Sequence, residues 1–99
     1  MAATPIPVEK ALRDLGIYLE AWRKLQRLSI GTLSERAGLS KITLRKLEAG
    51  SGGTSIENVL RVMHVLGVMD SVVKSVDPYT TDIGKLRAEE TLPQRIRGN

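Results

Sequence analysis

Residues 28–50 read LSIGTLSERAGLSKITLRKLEAG, two short helical patterns joined at a glycine. Ser29 stands where it can cap a helix over 30–37, whose inward contacts are Leu33 and Ala37 and which Gly38 ends. Ser40 can cap a second over 41–48, which stops at Gly50. So few residues separate the two that they must cross steeply, and a glycine in the link permits the left-handed backbone such a turn needs. Wound at about 100° per residue, the second helix gathers Leu44 and Leu47 on one side, flanked by Thr43 and Glu48. Lys41, Ile42, Arg45, Lys46 and Ala49 fall on the other and must face solvent or a partner.

A branched aliphatic side chain ringed by bases suits the DNA major groove. The groove admits an α-helix, its phosphates attract lysine and arginine, and thymine offers a methyl group that needs no hydrogen bond. Arg45, one turn beyond Lys41, is placed to pair with O6 and N7 of guanine, a contact worth about 1–3 kcal/mol of discrimination. An exposed isoleucine alone would need no such explanation. Spacing, turn and charge agreeing is what points to DNA.

Charge is concentrated in the same region. The 99-residue chain has a net charge of +4, yet residues 23–46 hold seven bases (Arg23, Lys24, Arg27, Arg36, Lys41, Arg45, Lys46) against one acid, Glu35. Such a block is either a solvated face or the footprint of a polyanion. On the second reading Arg23, Lys24 and Arg27 are candidate phosphate contacts.

Working outward, Leu12, Leu15, Leu19 and Trp22 recur at three and four, predicting a first helix over 8–27 with Pro7 and Val8 at its start and Gly16 as a weak point. Its solvated face carries Arg13, Glu20, Lys24 and Arg27. After GSGGT at 50–54, Thr54 or Ser55 can cap a fourth helix over 56–66, with Glu57 closing a capping box on Thr54. The inner stripe of that helix is Ile56, Val59, Leu60, Met63 and Leu66. A brief fifth helix over 70–76 stops at Asp77 and Pro78, and Asp82 can cap a last one over 83–90. Val62, Val65, Met69, Val72, Val73 and Val76 make a second apolar stripe, either core or part of a dimer interface. The expected architecture is all-α: a tail over 1–7, a compact five-helix domain over 8–76, and an extension over 77–99, a short helix followed by an extended or disordered LPQRIRGN, that makes a dimer or partner contact.

Composition narrows the function. A chain of this length with 41% hydrophobic residues supports one core. There is no cysteine and a single histidine, His64, so no disulfide framework is available and no metal centre is expected. No acid stands at a readable spacing from His64, and GSGGT lacks the lysine of a nucleotide-binding loop, so neither an enzyme nor a cofactor is expected. The N-terminus has no basic and apolar leader pattern, and the longest aliphatic run, VLGVM at 65–69, cannot cross a bilayer. A cytosolic, nucleoid-associated protein without membrane partners is expected.

LSIGTLSERAGLSKITLRKLEAG resembles the helix-turn-helix of the Cro/CI-like regulators (the XRE family) at Ser29, Leu33, Ala37, Gly38, Ser40, Thr43, Leu44, Glu48 and Gly50. SIENVLRVMHVLGV is similar to the family's fourth helix. The resemblance implies a lambda-repressor-like fold and base contacts from Ser40, Lys41, Ile42 and Arg45, with Lys46 nearby and Thr43 at phosphate or core. It also implies an internal ion pair between Arg23 and Glu48. One departure stands out: Ile30, followed by Gly31, replaces the glutamine common at the start of the second helix. Either the first turn there is frayed or Ile30 packs elsewhere, and main-chain amides would have to hold the phosphate.

The same resemblance implies repression by a symmetric homodimer on a palindromic operator in double-stranded DNA, its two domains about 34 Å apart. The tail ending LPQRIR is similar to the tails of DNA-binding antitoxins in HipBA-type toxin–antitoxin operons. That implies an autoregulating antitoxin whose partner is a HipA-like kinase toxin or a small accessory protein. Read by itself, the tail is a flexible cationic terminus, or adds phosphate contacts through Arg95 and Arg97, or adds an intermolecular strand. The alternatives are an adaptor that neutralises such a kinase with DNA binding secondary, and a phage Cro/CI-type repressor.

Overall fold

The computed structural model describes residues 2–91. The tail LPQRIRGN, with Arg95 and Arg97, lies outside the described residues. Among those described the structure is all-α: α1 (Ile6–Leu25), α2 (Ile30–Ala37), α3 (Lys41–Glu48), α4 (Ile56–Leu66), α5 (Met69–Ser75), a 3-10 turn (Pro78–Thr80) and α6 (Asp82–Thr91). They form two units, divided between Met69 and Asp70.

Serine hydroxyls start three of the helices. Ser29, Ser40 and Ser55 accept from the backbone N–H of Thr32, Thr43 and Asn58 respectively, each satisfying a donor the helix itself cannot. The cap of α4 is therefore Ser55, and no capping box forms on Thr54: Glu57 pairs instead with Arg61, one turn on, at 2.9 Å. In the second unit Asp77 caps the 3-10 turn, and the Thr81 hydroxyl, rather than Asp82, accepts from the Gly84 N–H in the first turn of α6.

At the far ends the chain passes through a left-handed residue. Gly38 has φ 76°, while Leu39 N–H donates to Ser34 O and Gly38 N–H to Glu35 O, which satisfies carbonyls that α2 leaves open. The end of α1 uses the same bonds, Leu28 N–H to Arg23 O and Arg27 N–H to Lys24 O, but its left-handed residue is Arg27, φ 59°. Arg27 is therefore off the helix, and α1 runs two residues earlier at each end than the predicted 8–27.

Within the first unit Leu19, Leu33, Ala37, Leu44, Leu47, Val62, Met63 and Leu66 form the buried core. Leu33, Leu44 and Val62 are completely buried, each contributing about 1.5–3 kcal/mol. Val62 thus belongs to the core and cannot be part of an interface. Val65 and Met69 pack partly against the core, while Val72, Val73 and Val76 are exposed. Ile56, expected inside, is exposed at the start of α4.

Two expectations for α1 are corrected by its neighbours. Trp22 is exposed, and Arg23 takes the buried place one turn after Leu19, because its charge has a partner on another helix. Gly16 is the point of closest approach between helices: a Cβ there would stand 2.7 Å from the Leu47 carbonyl oxygen and closer still to that of Glu48. A larger residue would push α1 away from the end of α3.

Candidate nucleic-acid interface

Leu44 and Leu47 fix the rotation of α3 by inserting into the core. The remainder follows from helix geometry: Lys41, Ile42, Arg45 and Lys46 are all exposed, Ile42 at 65%. Among the described residues Lys41, Arg45 and Lys46 have no ion-pair partner. A row of unneutralised cations around an aliphatic tip is well matched to a polyanion with apolar features.

Ser40 and Thr43 act together at the helix start. The Ser40 hydroxyl accepts from the Thr43 N–H at 3.0 Å and donates to the Thr43 hydroxyl at 2.9 Å. One lone pair is what Ser40 keeps for an outside donor, whereas half-buried Thr43 retains its own proton for an acceptor such as a phosphate oxygen.

The other end of α3 is clamped. Arg23 Nε donates to Glu48 Oε2 at 2.8 Å, Nη2 to Oε1 at 3.0 Å, and Nη1 to the Leu28 carbonyl at 3.1 Å. Both side chains are about nine-tenths buried. The hydrogen-bonded Glu48 carboxylate raises the Arg23 pKa above its ordinary value, against the lowering effect of burial. This is the bidentate geometry that makes arginine–carboxylate pairs strong, and it removes Arg23 from the phosphate contacts proposed for it, since its guanidinium is enclosed and its donors engaged.

Lys24 remains outside, 3.2 Å from Glu20 in an exposed pair of the kind worth little. Arg27 is exposed beyond the end of α1. Ile30 is not at a frayed end: α2 is helical from Ile30 onward, and Ile30 packs partly against the core. With no Cβ at Gly31, the Lys41 side chain crosses the first turn of α2, its Cε 3.3 Å from where that Cβ would stand. Glu20, Arg23, Ile30, Arg45, Glu48 and Ala49 line a shallow recess beside α3.

Sequence reasoning left Arg13 as one charge on a solvated face. Its backbone abuts Gly50, just after α3, so α1 passes directly against the turn that follows α3. The signal was tertiary, a close approach across the turn after α3, and no local pattern carries it.

The model of the helix-turn-helix family matches residues 19–68, half of the chain. The chain belongs to this helix-turn-helix family. The matched stretch holds the latter part of α1, all of α2 to α4, the caps Ser29, Ser40 and Ser55, and both partners of the Arg23–Glu48 clamp. The protein is accordingly a DNA-binding transcription regulator of the Cro/CI-like kind. No curated protein matches the chain, and no solved structure does. Among the described residues of this helix-turn-helix regulator, no group of three or more histidines and carboxylates is placed to hold a metal ion. No described helix is long and apolar enough to cross a membrane.

Proposed function

We propose that the protein is a sequence-specific repressor that binds a palindromic operator as a homodimer, laying α3 in the major groove. What supports this most is the division of α3 into two faces, Leu44 and Leu47 sealed in the core and Lys41, Ile42, Arg45 and Lys46 exposed with their charges unpaired. On this reading Ser40, Lys41, Ile42 and Arg45 meet base edges, while Lys24, Arg27, Thr43 and Lys46 hold phosphates. Selection of bound sequences from random DNA at two salt concentrations, followed by Arg45→Ala, tests it. The substitution is expected to lower operator preference by about 1–3 kcal/mol; unchanged affinity for both operator and random DNA would defeat the assignment.

We further infer that the operator precedes the chain's own gene and that the protein neutralises a HipA-like kinase encoded beside it. The support is the LPQRIR sequence at 92–97. Co-purification of that kinase, directly or through a small accessory protein, is the expected result. Intact operator recognition with no co-purifying neighbour would favour the phage-type repressor instead.

A further inference from the structure

The first turn of α2 holds a glycine, Gly31, where alanine would be the better helix former. Neither usual reason for a glycine applies. Its φ is not positive, and the three atoms nearest to where its Cβ would stand all belong to side chains: Cε and Nζ of Lys41, at 3.3 and 3.7 Å, and Oγ of Ser29, at 3.9 Å. At Gly16 and Gly50 the corresponding place is blocked by main chain. What the missing methyl group admits at Gly31 is the end of one lysine. A Cβ there would press on that lysine, and a larger side chain would displace it.

Lys41 is the first residue of α3. Side chains on a helix lean toward its N-terminus, so that of a first residue runs back past the start of the helix, here toward α2. No carboxylate draws it there. Neither helix has an acid in its first turn, and Lys41 has no ion-pair partner among the described residues. Its place depends on the room over Gly31.

We propose that Gly31 is a specificity-determining residue that acts through Lys41: with the glycine present the ammonium meets a backbone phosphate, and with that room filled it turns to a base edge. In a helix-turn-helix the second helix lies in the major groove with its first residues at the base edges, while the first helix crosses the sugar-phosphate backbone. By its position in α3 alone, Lys41 belongs to the base-reading group. Carried back over the first turn of α2, its ammonium lies instead on the helix that follows the backbone. There a compact point charge on a flexible stem binds phosphate without reading sequence. Base readout then falls to Ser40, Ile42 and Arg45. This deepens the operator reading, on which it rests, and moves one residue within it from base edges to phosphate.

Selection of bound sequences from random DNA, followed by affinity for the selected site across a salt series, tests this on the full chain. Lys41→Ala changes an exposed side chain. It is expected to leave the selected sequence unchanged, to weaken operator and random DNA alike, and to lower the slope of log K against log salt by about 0.9, the share of one phosphate. Gly31→Leu puts a branched side chain where Lys41 now lies. It is expected to keep the wild-type far-UV circular dichroism and to gain, at one base pair of the site, a preference for guanine of about fivefold or more, since lysine pairs with O6 and N7 of that base. Combining Gly31→Leu with Lys41→Ala is expected to abolish the gained preference. The role of Gly31 would be overturned by a selected sequence that loosens at one base pair in Lys41→Ala, by a folded Gly31→Leu protein that selects the wild-type sequence, or by a gained preference that persists without Lys41. Each of these leaves the operator reading standing, which Arg45→Ala tests separately. A wild-type chain that selects no sequence would overturn that reading and the role of Gly31 with it.

Discussion

No side chain fits at Gly16, because the carbonyl oxygen of Leu47 stands 2.7 Å from where its Cβ would be. Alanine is the better helix former by about 1 kcal/mol, so propensity and packing oppose each other here. Packing prevails, since the obstacle is main chain and cannot move without shifting α3. Gly16→Ala is expected to lower stability by about 1–3 kcal/mol in urea denaturation. Gly31→Ala is the control: the nearest atom there is the mobile end of Lys41, at 3.3 Å. That substitution is expected to stabilise by about 0.4–1 kcal/mol.

The Arg23–Glu48 pair predicts an asymmetric mutant cycle. Removing either partner strands a buried charge, at a cost of about 3–5 kcal/mol. Replacing both, as in Arg23→Met with Glu48→Leu, is expected to cost much less than the two single changes together. Chemical denaturation of the four proteins measures the coupling; additive losses would mean that the two residues act independently.

Arg27 predicts a conflict between stability and binding. It holds the left-handed position that glycine fills at Gly38 and Gly67, a backbone state costing a residue with a side chain about 1 kcal/mol. Arg27→Gly is expected to raise the melting temperature slightly. The same change is expected to weaken binding to all DNA sequences alike and to flatten the salt dependence by about one ion.

The second valine stripe divides by burial. Val62→Ala opens a cavity in a site that is 0% exposed, with an expected loss of roughly 2 kcal/mol. Val76→Ala, at an exposed position, is expected to change stability by less than about 0.5 kcal/mol. Equal effects would contradict the burial assigned to Val62.

Much of the fold was legible because its signals are local. Serine caps at 29, 40 and 55 and left-handed glycines at 38 and 67 lie beside the residues they act on, and α2, α3 and α4 have the bounds these predict. The ends of α1 were less legible: its N-cap Pro5 makes no side-chain bond, and an arginine occupies the position that would announce a stop if it were glycine. The exchange of Trp22 for Arg23 at the core was hidden for a different reason. Neighbouring positions on one helix both fit the periodicity, and what decides between them is Glu48, 25 residues further on. The outer face of α3 could be listed in advance because two leucines determine the helix's rotation. The nearness of the Arg13 backbone to Gly50 could not, since that depends on how α1 passes the turn after α3.

Fastened to α1 at Gly16 and again through Arg23, α3 has its shape before any duplex arrives. Little conformational freedom is left for it to lose on association, in contrast to basic arms that fold as they bind. Its amides should therefore exchange with deuterium slowly in the free protein, and calorimetry of operator binding should show a heat-capacity change no larger than the groove contacts themselves bury.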